Sequence, residues 1–208
     1  MKIILILVLH CSISLVSWGD EKSIILKLRE TPIVVDGSID PLWAEADSAD
    51  DFFQLQPYYA QPPSQRTVAK VLSTRDALYC LMICYDSQPV ESHPGLLDQT
   101  SGDIVSIMLD TFGDRKSAYK FAVAASGARA DCRLLDDARN RDYSWDGVWF
   151  ADARVYDWGF VAEMMIPYKS IKYNPDLKAW GLDFDRWRPS NAEDLYWCEY
   201  EQNEGQRV

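Results

Sequence analysis

Between Asp103 and Ile166 the chain carries four apolar, β-rich runs, each closed by a turn signal. Ile104–Leu109 stops at Asp110, Ser117–Ala124 at Ser126-Gly127, Val148–Val155 at Tyr156-Asp157 and Gly159–Ile166 at Pro167. Runs this short cannot be long helices, and no extended 3.6-residue period occurs elsewhere in the chain. The pattern predicts an antiparallel sheet. Its one elaborate loop is the polar, acidic segment between the second and third runs, which leads into Trp145 and Trp149.

The flanking sequence extends this pattern. Arg66–Ser73 and Ala77–Tyr85 are joined by Thr74-Arg75-Asp76, a connection short enough for a hairpin. Both faces of the second segment are apolar, so it is expected to be a central strand. Ile24–Leu28, Thr31–Gly37, Phe52–Gln56, Ala179–Trp187 and Leu195–Tyr200 read as further strands. Asp40–Ala46 and Pro167–Ile171 read as short helical turns, with Asp40 as cap, Pro41 at the first position and Trp43 pointing inward. The expected fold is an all-β, jelly-roll-like antiparallel sandwich, formed by residues 20–208 as a single monomeric domain.

Residues 1–19 resemble an export signal. Lys2 precedes the apolar run Ile3–Leu9, and Ser17-Trp18-Gly19 places small residues at a cleavage site. The run is interrupted by His10, Cys11, Ser12 and Ser14, so it is too short for a spanning helix. Export predicts a periplasmic, outer-membrane or extracellular location. Cys80 and Cys84 fall in one predicted strand, about 13 Å apart along it. A disulfide needs Cα atoms within about 7 Å. Cys80, Cys84, Cys132 and Cys198 are therefore expected to be buried thiols, although three pairings are formally open.

The net charge of −11 argues against a nucleic-acid partner, which needs clustered Lys and Arg. It suits neutral ligands and divalent cations. After residue 19 the only histidine is His93, in a loop, so a histidine-rich zinc site is excluded and enzyme activity is not expected. Paired carboxylates alone could support glycoside hydrolysis, but nothing sets one apart as acid and another as base. Neither a phosphate-cradling glycine loop nor a dinucleotide fingerprint is present.

Several motifs, in order, resemble the family 9 carbohydrate-binding module. They are Ile33–Trp43, Ala77-Leu78-Tyr79, Asp103–Asp110, Ser144–Trp149, Glu163–Pro167 and Trp180–Arg186. The resemblance spans residues 24–200 and is closest to the version that opens exported bacterial proteins continuing into an outer-membrane barrel. It implies a β-sandwich that binds sugar, often with structural calcium, and that acts in carbohydrate capture and breakdown. In sugar-binding members two tryptophans clamp the ring.

An aromatic face suits the C–H face of a sugar. The candidate ligand residues are Trp145, Trp149, Tyr143, Asp146 and Trp197, while Trp43 and Trp180 are expected in the core. The candidate calcium ligands are Asp103, Asp110 and Asp142. Ser106 stands where sugar-binding members often carry Glu. That motivates a second reading, a structural or protein-interaction domain of an outer-membrane protein without sugar binding. A third is an accessory module of a glycoside hydrolase.

Overall fold

A computed structural model describes residues 22–198 and the backbone strand β1 (Val8–His10). The rest of the expected export signal lies outside the described residues, as do residues 199–208.

Two sheets face one another. The larger contains β1, β2 (Ser23–Ile25), β5 (Phe53–Gln56), β8 (Ile104–Asp110), β9 (Ala118–Ala124), β10 (Arg129–Leu135), β11 (Asn140–Asp142), β14 (Gly181–Arg188) and β15 (Glu193–Tyr196). Its main path runs β11-β10-β9-β8-β14, then to β15 and β5 along one part of β14 and to β1 and β2 at Gly181. The smaller sheet runs β12 (Phe150–Tyr156), β13 (Gly159–Pro167), β7 (Ala77–Tyr85), β6 (Thr67–Ser73) and β3 (Lys27–Leu28), with β4 (Ser48–Ala49) also on β6. Pairing is antiparallel except at β1/β14 and β3/β6. The only helical pieces among the described residues are three 3-10 turns, Pro41–Glu45, Tyr168–Ser170 and Pro189–Asn191.

The all-β sandwich expected from the sequence is the fold observed. β6 and β7 form the predicted hairpin, and eight of the nine residues of β7 are buried between β6 and β13. Several expectations are corrected. The four runs do not make one sheet: β8 and β9 belong to the larger, β12 and β13 to the smaller. The acidic segment after β9 is no loop but a hairpin, β10–β11, in which Ala130, Cys132 and Leu134 alternate with Arg129, Asp131 and Arg133. Thr31–Gly37 is not a strand.

A buried carboxylate holds that segment in place of a partner strand. Glu163 Oε2 accepts the backbone N–H of Asp36 (2.9 Å) and Gly37 (3.0 Å), and its Oε1 accepts the Trp43 indole N–H at 2.9 Å. Burial raises the Glu163 pKa, although these donors oppose it. Trp43 then plugs a second apolar cluster with Ile33, Leu72, Leu81 and Val161 on the outer face of the smaller sheet. Asp40 precedes the Pro41–Glu45 turn, but its side chain makes no capping bond.

The main core lies between the sheets. Cys80, Cys84 and Cys132 are buried free thiols, as expected, and burial pushes Cys80 well above the usual thiol range and Cys84 up to about 12. Cys198 departs from that expectation: it is disulfide-bonded.

Candidate functional site

The period-2 alternation of the larger sheet decides which side chains reach which face. On β14, Leu182, Phe184 and Arg186 point into the sandwich, and Asp183, Asp185 and Trp187 point the other way. Register carries that outward face across neighbouring strands. Ser106 stands opposite Asp185, Ala122 opposite Ser106, and Ala130 opposite Ala122. Asp194 stands opposite Trp187 and Tyr196 opposite Asp185. These strands form the floor of a cleft of about 270 Å³, closed at one side by Arg141 and Tyr143 from β11 and the turn after it.

The floor is polar and the rim aromatic. The half-buried Lys120 donates to Asp185 across the floor. Arg141 bonds Tyr143, which raises the Arg141 pKa against burial acting to lower it. Burial, joined by the charge of Asp185, pushes Asp194 up to about 7. Burial, with Asp185 and Asp194 nearby, raises Tyr196 well above its ordinary value. Ser106 is 1% exposed, and its hydroxyl has no hydrogen-bond partner. Trp187 is half-buried, and Tyr143 is 67% exposed. The cleft thus offers aromatic surface beside hydroxyl, ammonium, guanidinium and carboxylate groups. That combination suits a small polar ligand with both C–H and O–H surfaces.

Beside the cleft, on the inner side of β14, lies a buried ionic cluster. Arg188 donates to both oxygens of Asp86 (2.7 and 2.9 Å) and to Glu193 Oε2 at 2.6 Å. Arg186 donates to Asp86 Oδ2 at 2.9 Å and to the carbonyl of Tyr85 at 3.0 Å. Ser64 adds its N–H and hydroxyl to Glu193. Burial works to raise Asp86 and Glu193, but these donors prevail and hold both carboxyls below their usual range. The cluster fixes the end of β14 to the loops bearing Ser64 and Asp86, and so fixes the position of Trp187.

The sequence-predicted ligand residues divide. Tyr143 reaches the cleft. Trp149 is 2% exposed, packs edge-on against Phe121 and donates its indole N–H to Asp131 at 2.6 Å. Trp197 is 3% exposed and donates to Asp51 at 2.7 Å. Neither presents a ring face to a ligand. Trp145 is half-buried against Tyr119 and Phe121, on the inner side of β9, and Asp146 is exposed beside it. Trp187, which reaches the cleft, was not among the predicted ligand residues. Its signal was the alternation Gly181, Asp183, Asp185, Trp187, which put one aromatic on a polar face.

Asp103, Asp110 and Asp142 do not come together. Asp103 and Asp110 bracket β8, roughly 23 Å apart at strand rise. Each carboxylate is engaged separately: Asp103 by the N–H of Glu91, twelve residues earlier, and Asp110 and Asp142 by their own turns, through the N–H groups of Phe112, Gly113 and Arg115 and through Ser144 respectively. Burial nevertheless raises the pKa of Asp103 and Asp110. Among the described residues no three His, Cys, Asp or Glu side chains gather into a set that could hold a metal ion. His93 is exposed, 3.7 Å from Glu91.

No protein-family model matches this chain, and no curated protein does. Solved structures do. A family 9 carbohydrate-binding module from Caldicellulosiruptor kristjanssonii, in complex with cellotriose, is 17% identical over 82% of this chain and 81% of its own, with a TM-score of 0.56. The same kind of module with glucose matches at 17% identity and a TM-score of 0.56, over 82% of this chain and 83% of that one. A Bacteroides uniformis protein, described as a carbohydrate-binding candidate, matches at 11% identity and a TM-score of 0.64, over 83% and 87% of the two chains. At these identities the likeness is one of fold.

Proposed function

We propose that this chain is a non-catalytic carbohydrate-binding module whose site is the cleft on the outward face of the larger sheet. One observation carries the reading. A sandwich with the fold of modules solved with cellotriose and glucose holds a polar-floored cleft with Trp187 on its wall and Tyr143 at its rim. An indole face takes the C–H face of a pyranose, while Ser106, Lys120 and Arg141 can bond its hydroxyls. In this reading the floor contacts replace the acid that Ser106 lacks.

Export, and action beside an enzyme or a barrel that handles glycans, belong to the same proposal. They are supported by the Lys2 and Ile3–Leu9 pattern and by the family resemblance. Structural calcium would have to use carboxylates singly, completed by carbonyls and water.

The test is a glycan-array screen followed by titration calorimetry with the hits, for the wild type and Trp187→Ala. The expected result is binding that the substitution weakens about tenfold or more. Absence of binding to any mono- or oligosaccharide, with and without calcium, would transfer the reading to a structural or protein-interaction domain.

A further inference from the structure

The cleft contains a carboxylate that its own cations leave unmatched. Lys120 is tied to Asp185, and Arg141 is tied to Tyr143 at the rim. Among the described residues no Lys, Arg or His lies within ion-pair distance of Asp194, whose side-chain partner is the Tyr196 hydroxyl. Asp185 and Asp194 are diagonal neighbours on adjacent strands, because Asp185 pairs with Tyr196 and Trp187 with Asp194. Diagonal side chains on one face sit about 7 Å apart, close enough for one small cation to serve both. Trp187, directly across from Asp194, adds an aromatic face.

An independent feature points to a ligand on this floor. The Ser106 hydroxyl is buried, opens onto the same cleft and has no partner. Buried polar groups are normally bonded, so this one calls for a hydroxyl from outside the chain.

Together these features need a ligand that brings a hydroxyl to Ser106, a C–H face to Trp187 and a positive charge to Asp194. We propose, building on the carbohydrate reading, that the cleft selects sugars bearing a protonated amine, hexosamines of the glucosamine kind, with the ammonium seated against Asp194 and Asp185. A neutral hexose satisfies the first two requirements and leaves Asp194 as it is. A uronic acid would bring a third carboxylate to the same wall. The upward shift of Asp194 agrees with this: burial and Asp185 outweigh the attraction of Lys120 and Arg141, and an added cation would reverse the balance.

The experiment is calorimetric titration of the protein with glucosamine oligosaccharides, their N-acetylated counterparts and cello-oligosaccharides of equal length. It is run near neutral pH and at physiological ionic strength, on the wild type and on Asp194→Asn checked for folding by circular dichroism. The expected result is binding of the amine-bearing series about tenfold tighter than either neutral series, a ratio that Asp194→Asn brings close to one. Equal affinities in the wild type would overturn the amine preference and leave carbohydrate binding standing. A preference that survives Asp194→Asn would assign it to the acidic surface at large and also overturn the proposal. Failure of every sugar to bind would overturn both readings. The wild-type comparison decides the matter by itself if the variant does not fold.

Discussion

Asp194 and Arg188 lie within one hairpin, six residues apart, and put opposite demands on it. Arg188 is buried with two carboxylates, Asp86 and Glu193, in direct contact. Replacing it by Met would leave both acids buried without their main cation. The expected loss is about 3–5 kcal/mol, read by chemical denaturation. Asp194 works in the other sense. Its pKa, raised to about 7 from 3.8, means that the folded state binds a proton the unfolded state has already released. Its contribution to stability is therefore full below about pH 4 and is lost as the pH rises through about 7. Asp194→Asn removes that dependence. The variant should gain stability relative to the wild type between about pH 5 and pH 8, in paired melting curves. A constant difference across that range would show that Asp194 does not titrate there. Asp86 and Glu193, held low, contribute stability above about pH 4 and lose it as the pH falls further.

At the scale of elements, Glu163 does the work of a missing strand. One carboxylate on β13 gathers two backbone N–H groups and an indole N–H from a segment with no sheet partner of its own. Glu163→Gln keeps the shape but gives up charge and one acceptor. The amides of Asp36 and Gly37 should then exchange hydrogen at least about tenfold faster, while those of β7 stay protected. Gly37 has a φ of +71°, and a Cβ there would stand 2.8 Å from the Arg154 backbone nitrogen. Gly37→Ala should cost about 1–3 kcal/mol in denaturant unfolding.

The same elements mark what the sequence made legible. β7 was readable because both its faces are apolar, and β14 because its residues alternate with period 2. Thr31–Gly37 is β-branched and looked like a strand, but local propensity says nothing of whether an edge is free to receive it. β10–β11 was missed because its charges masked the period-2 row Ala130, Cys132 and Leu134, which is plain once Ala122 and Ala118 are seen opposite Ala130 and Leu134. For the site, aromatic content near a polar loop pointed to Trp145 and Trp149. Trp149 closes on Asp131, and both pack against Phe121, a contact 24 or more residues distant in sequence that no local pattern records.

The molecule as a whole is a sandwich with three differently used surfaces. The inner faces of the two sheets make the core. The outer face of the smaller sheet packs against its own Ile33–Trp43 segment through Ile33 and Trp43. The outward face of the larger sheet keeps a cleft, and the buried Arg186–Arg188–Asp86–Glu193 cluster stiffens the hairpin that forms its wall. The proposed ligand site is on that face, where aromatic rings, an unpartnered hydroxyl and mixed charge converge. The most direct measurement is a two-dimensional amide NMR titration of the labelled protein with cellotriose and with a glucosamine trimer. The account predicts that the amides of Ser106, Lys120, Ala122, Asp185, Trp187 and Asp194 move together and saturate. Shifts confined to the turn around Trp145 and Asp146, with the cleft residues unmoved, would contradict it.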